Sequence, residues 1–309
     1  MKPRTAHSLA GMRRYLQMSG DRVFIFVEGR DLDPNFYSRI CGPVCKDAGH
    51  SYQILVADLI VGGGGGKNIL TQLFGFLRDN NSLLDRSGPH SKLIIFYLDK
   101  DVDDIFHSWQ ASDHVVYTIH HSVENHLFDQ GDIVSSIATA GSVDVDLIRN
   151  RIKDPVAWRA RVANCWRDWV TLCLLARALS LRGPVSYRAR DSQINSPADS
   201  ATDAAGLSAL VAQMHAASGL PMVSFHRKLR AAYRLVDLVY RKAQGDLIFK
   251  GKWYSVFALR ELELASAGQP YNQNGAADRL MGSLVATTNF DVPWAEHFRG
   301  PLRAGLARL

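Results

Sequence analysis

Residues 92–104 read Lys-Leu-Ile-Ile-Phe-Tyr-Leu-Asp-Lys-Asp-Val-Asp-Asp. The apolar part is rich in β-branched and aromatic residues and shows no alternation with polar ones, the pattern of a strand buried on both faces, as in a parallel sheet. It ends abruptly on carboxylates. Residues 22–29, Arg-Val-Phe-Ile-Phe-Val-Glu-Gly, repeat that grammar with Glu28 directly after the strand. Tyr52 to Ala57 and Val115 to Ile119 supply two more strands. Between the strands the period changes. Asp33-Pro34 opens a helix on which Phe36, Tyr37, Ile40 and Val44 recur to about Asp47, because Pro suits a first helical turn. Five consecutive glycines, Gly62 to Gly66, precede a second helical run through Ile69, Leu70, Leu73 and Leu77. Strands alternating with helices predict a small, doubly wound, mostly parallel α/β domain, placed at residues 18–140.

Residues 141–309 have another texture and predict a mainly helical, basic domain. Trp158, Val162, Cys165, Trp166, Trp169, Cys173 and Ala176 form an apolar stripe on one long helix from Pro155, flanked by Arg159, Arg161, Arg167 and Arg177. Tryptophans in such a stripe belong to a core rather than to a base-stacking surface. A further helix spans Ser224 to Ala243, and residues 186–206 and 266–283 are connections. The first 130 residues carry 13 Lys and Arg against 15 Asp and Glu, and the remainder 23 against 15. Phosphates call for positive charge and divalent cations for carboxylates, so this split suits a protein that holds polyanions with one part and metal with another.

The 309 residues are 47% hydrophobic and 21% charged, enough for an ordinary core. Mean hydropathy is -0.10, and no apolar run approaches the ~20 residues of a membrane helix. No membrane association is expected. The basic start, Met1 to Arg4, leads into no apolar stretch, so a cytoplasmic protein is expected. Cys41, Cys45, Cys165 and Cys173 fit neither a disulfide framework nor paired zinc ligands.

In open parallel sheets, ligands bind beyond the carboxyl ends of the strands. Glu28 stands there after one strand, and Asp99, Asp101, Asp103 and Asp104 after another. Carboxylates crowded in this way repel one another unless a hard cation such as Mg2+ or Mn2+ neutralises them. Asp103 and Asp104 have a second reading as caps of a following helix.

Strand-Glu28-Gly29 followed at a distance by strand-Asp99-Lys100-Asp101 resembles the TOPRIM domain of topoisomerases, primases and OLD-type nucleases. Asp33-Pro34-Asn35-Phe36-Tyr37, the glycine run with Lys67-Asn68, Ser122-Val123-Glu124-Asn125 and Gly251-Lys252-Trp253 are similar to stand-alone TOPRIM-like nuclease effectors of bacterial phage defence, among them that of the PARIS system. In one place the sequence departs from the family. The family usually places Asp four residues after the Glu, where this chain has Leu32 between Asp31 and Asp33; one extra residue in the turn brings Asp33 into register.

The resemblance implies a metal-dependent endonuclease of DNA or RNA, tRNA included, acting as a toxic effector in abortive, antiviral defence with an ABC-type ATPase as partner, and open to homodimerisation. It implies Glu28, Asp99 and Asp101 as catalytic and metal-binding residues, Asp33 as a further ligand, Glu124 as ligand of a second Mg2+ or Mn2+, and Lys252 near the scissile phosphate. Glu124-Asn125 also reads as a helix start capped by Ser122, and Lys252 as a surface lysine beside a packing tryptophan. Lys67, at a glycine loop and helix start, and Arg227, Lys228 and Arg230 are the candidates for nucleic-acid phosphates.

Two other functions compete. Strand-Asp99-Lys100-Asp101-Val102 also resembles the nucleophile motif of HAD-like phosphatases, with Asp99 attacking phosphorus, although that family carries it on its first strand. A non-catalytic metal-binding subunit is the third. Two further motifs are discounted. Gly62 to Lys67 is no P-loop, since Val61 and Asn68 stand where Gly and Ser or Thr are needed. His120, His121, Glu124 and His126 lack the spacing of a zinc site.

Overall fold

The computed structural model describes residues 6–61, 66–86, 91–195, 201–266 and 271–309. It divides into two compact units, Met1–Ile119 with Asn289–Leu309, and His120–Thr288.

The first unit is α/β. Its strands are β1 (Val23–Val27), β2 (Tyr52–Val56), β3 (Leu84–Asp85), β4 (Lys92–Leu98) and β5 (Val115–Tyr117). β1 lies between β2 and β4 and runs parallel to both, with Val27 opposite Val56 and Tyr97. β5 pairs in parallel with the end of β4, and the two-residue β3 pairs antiparallel with its start. β3 has no signal in the sequence because two residues cannot show a period. Every residue of β1 is buried, as its unbroken apolar run requires.

Helices α1 (Leu9–Met18), α2 (Asp33–Asp47) and α3 (Gly66–Asp79) cover the sheet. Met12 and Leu16 of α1 and Ile69, Leu73 and Phe74 of α3 pack with Phe24, Phe26, Ile94 and Phe96. On the other face, Phe36 and Tyr37 of α2 meet Tyr97 and Phe298. Phe298 belongs to a C-terminal helix, Glu296–Leu306, whose Phe298 carbonyl accepts the Tyr97 hydroxyl at 2.9 Å. The chain thus returns to its first unit to complete the second layer.

This corrects the expected boundary. The α/β unit is not residues 18–140: it includes α1 and the C-terminal helix, and it gives up residues 120–140 to the second unit. Strand periodicity cannot reveal a helix that joins from a distant part of the chain.

The second unit consists of α4 (Val123–Gln130), α5 (Ile133–Gly141), α6 (Val145–Arg151), α7 (Pro155–Cys165), α8 (Arg167–Ala178), α9 (Ala204–Ser218), α10 (Met222–Arg241), α11 (Gly251–Ser266) and α12 (Ala276–Thr287). Two expectations change here. The helix from Pro155 is broken at Trp166, whose φ of -103° and ψ of 23° leave the helical region. Trp166 is fully buried against Trp253 and Phe257, which fixes the turn. α12 also begins inside the connection expected at 266–283, of which residues 267–270 lie outside the described residues. Trp158, Trp166 and Trp169 are core residues, as their spacing predicts.

No helix among the described residues is long and apolar enough to cross a membrane.

Candidate active site

The strand order makes β1 and β4 the place where the sheet changes winding direction, since the chain leaves β1 for β2 on one side and continues through β4 to β5 on the other. Such a switch point leaves a crevice at the carboxyl ends of the strands. Glu28 and Asp99 emerge there. The Asp99 N–H donates to Glu28 Oε1 at 2.9 Å, so carboxylate and backbone from distant parts of the sequence meet directly.

The Glu28 carboxyl is pushed up to about 8, chiefly by burial and in smaller part by the negative charges of Asp101 and Asp33, while Lys67 and the Asp99 N–H act in the opposite direction. Gly66 explains part of this crowding. It opens α3 at φ +48°, a conformation L side chains disfavour, and a Cβ there would lie 3.3 Å from Glu28 Oε2. A side chain at that point would be both strained and in the way.

Asp33 is the buried member of the Asp31/Asp33 pair. Its Oδ2 accepts the Gly29 N–H at 2.6 Å, whereas Asp31 is exposed and bonded to Arg30. A Cβ on Gly29 would stand 2.8 Å from Asp33 Oδ1, so the glycine after Glu28 is what allows Asp33 to close on the turn.

Lys67 turns into the acidic cluster rather than out to the surface. Its Nζ donates to Asp101 at 2.5 Å and to Asp103 at 2.8 Å, and the side chain is 19% exposed. Burial opposes its charge, but Asp101, Glu28 and Asp103 together hold it above the ordinary lysine range. The other glycines expected to cradle phosphate, Gly62–Gly65, lie outside the described residues.

Asp101 adopts φ +51°, which turns the chain back after β4. No helix follows. Turns run on to His107, so the helix-cap reading of Asp103 and Asp104 does not apply; Asp103 instead accepts the Ser108 hydroxyl at 3.0 Å, and Asp104 pairs with Lys100 at 2.9 Å.

Glu124 and Lys252 belong to the second unit. Ser122 precedes α4, where its N–H and hydroxyl both donate to Asn125 Oδ1 at 3.1 Å, so the helix-start reading of this segment is observed. Glu124, in the first turn, is buried; its Oε1 is 3.6 Å from Lys252 Nζ, and its Oε2 has no hydrogen-bond partner among the described residues. Lys252 has an exposed side chain beside the fully buried Trp253, at the start of α11.

The second unit spends much of its excess charge internally. Arg159 pairs with Asp129 and Asp246, Arg151 and Arg161 with Glu261, and Arg167 with Asp237. Arg227, Lys228 and Arg230 on α10 are different. They are exposed, and no ion pair holds them among the described residues.

Among the described residues no three His, Cys, Asp or Glu side chains are gathered as metal ligands. The chemistry of the donor set in the first unit still suits a hard cation. Glu28, Asp33, Asp99, Asp101 and Asp103 are all oxygen donors, and one lysine, Lys67, stands against them.

The feature that sequence reasoning missed is the direction of Lys67. Its place after a glycine run suggested phosphate, while the nearby carboxylates that claim it are 34 and 36 residues away in sequence. No family model matches the chain, and no curated protein matches it either.

Proposed function

We propose that the chain is a Mg2+- or Mn2+-dependent nuclease of the TOPRIM type that hydrolyses phosphodiester bonds of DNA or RNA. The observation that carries this reading is the meeting of Glu28 with the Asp99–Asp103 segment at the switch point of a parallel sheet, with a half-buried lysine beside them.

Glu28, Asp99 and Asp101, with Asp33 behind them, would hold the cation. When bound, it would supply activation of a water nucleophile and neutralisation of the phosphoryl oxygens. The protein's own groups do the rest. Glu28 has an alternative role as general acid or base if it is not itself a ligand, since a carboxyl raised to about 8 holds or releases a proton near neutral pH. The Asp99 N–H fixes the orientation of its carboxyl. Lys67 keeps a positive charge in a half-buried pocket, where it offsets charge developing on phosphorus-bound oxygens. Asp103 positions Lys67 and is itself held by Ser108.

The roles of Glu124 at a second metal and of Lys252 near the scissile phosphate follow from the resemblance alone. So do the toxic role in phage defence and the ABC-type ATPase partner.

The full chain, incubated with Mg2+ or Mn2+ and labelled DNA, tRNA and a phosphomonoester, tests the proposal. Chain cutting that EDTA, Glu28→Ala and Asp99→Ala each abolish is expected. Cutting that survives both substitutions overturns it, as does release of phosphate from the monoester with both polymers left intact.

A further inference from the structure

Five of the six tryptophans are packed: Trp158, Trp166, Trp169 and Trp253 are buried, and Trp294 is half-buried among Phe36, Phe290 and Phe298. Trp109 alone is 51% exposed. Its ring lies 5.7 Å from that of Tyr117, centroid to centroid, and the Tyr117 ring in turn has Lys67 Nζ 5.8 Å from its centroid.

The exposed ring is not on a loose loop. The Ser108 N–H donates to the Asp103 carbonyl at 2.9 Å and its hydroxyl to the Asp103 carboxylate at 3.0 Å. On the other side, the Gln110 N–H donates to the Tyr117 hydroxyl at 2.7 Å. Trp109 is therefore pinned by both chain neighbours, one residue from a group that binds an acidic-cluster carboxylate. Trp109 thus presents a large aromatic surface to solvent at a fixed place.

We propose that Trp109 is a stacking platform for an unpaired nucleobase whose phosphate lies at the Glu28–Asp99–Lys67 cluster. The substrate is then a nucleic acid strand with unpaired bases at the point of cutting, because a base within a duplex keeps both faces stacked on its neighbours. This inference rests on the nuclease reading and names its substrate class. Stacking on an aromatic side chain is sequence-tolerant, so Trp109 selects for strandedness rather than sequence. Ser108 ties the platform to Asp103, and Asp103 in turn holds Lys67 of α3, so the ring keeps a fixed place relative to the lysine.

The test measures binding of fluorescent oligonucleotides to the full chain by polarisation in EDTA, so that no strand is cut. The probes are a single-stranded oligonucleotide, the same strand with abasic sites, and its blunt duplex. Trp109→Ala is expected to weaken single-strand binding by about 5- to 100-fold, Trp109→Phe to recover most of it, and the duplex affinity to stay unchanged. The wild-type protein should bind the abasic strand as weakly as Trp109→Ala binds the intact one. Equal single-strand affinity of wild type and Trp109→Ala overturns the inference, and does so without touching the nuclease reading if the wild type still cuts in Mg2+. A wild type that neither binds nor cuts any of the probes overturns both.

Discussion

Lys67 Nζ donates to Asp103 at 2.8 Å, and Asp103 is bound on its other oxygen by Ser108. The lysine stands where a sequence reading expects a cation of another kind. The ammonium shares the Asp101 carboxylate with any bound divalent ion and so reduces the negative charge that the ion meets there.

Replacing Lys67 by Met removes that positive charge at similar length. Calorimetric titration of Lys67→Met with Mn2+ should give about tenfold tighter binding than wild type, one such factor corresponding to ~1.4 kcal/mol. Weaker Mn2+ binding in the variant would show instead that Lys67 organises the carboxylates for the ion.

Glu28 gives stability an unusual pH dependence. Its carboxyl is raised from 4.5 to about 8 on folding, so between these values the folded chain binds more protons than the unfolded one. Stability from this group is therefore fully present below pH 4.5 and is lost as pH rises through 8. Denaturant titrations in EDTA across that window should show a downward slope for wild type that Glu28→Gln flattens. Parallel slopes in the two proteins would rule Glu28 out as the source.

The glycine after Glu28 is testable through Asp33. Gly29→Ala places a Cβ 2.8 Å from Asp33 Oδ1 and must push the carboxylate away. Mn2+ affinity should fall while the circular dichroism spectrum is kept, and Asp33→Asn should lower affinity by a similar factor. An unaltered Mn2+ isotherm in both variants would remove Asp33 from the site.

The exposed cations of α10 are expected to meet phosphates. Changing Arg227, Lys228 and Arg230 together to Gln should weaken nucleic-acid binding uniformly across sequences. The slope of log affinity against log salt should fall by about 1 for each phosphate that is no longer neutralised. An unchanged slope would place the polyanion elsewhere.

The C-terminal helix holds the α/β unit together. Phe298 is fully buried against Phe36, Tyr37 and Tyr97. Phe298→Ala should cost about 3–5 kcal/mol in chemical denaturation. A loss below about 1 kcal/mol, the size of an ordinary substitution, would mean that the sheet does not depend on this layer.

Local patterning along the chain was enough to specify the four principal strands, helices α2 and α3, and the positions of Glu28 and Asp99 at strand ends. Burial on both faces of a parallel sheet demands unbroken apolar runs, and a run has an end that can be read. Between Asp31 and Asp33 the sequence left the choice open, and only the fold buries Asp33 and leaves Asp31 exposed. Folding in space settled the features that close over long separations. Lys67 turning to Asp101 and Asp103 rather than to solvent, Phe298 returning to Tyr97 across 201 residues, the break at Trp166 and the exposure of Trp109 leave no periodic trace. Each depends on which surfaces remain unfilled once the sheet has formed, and that is a property of packing in space, not of spacing along the chain.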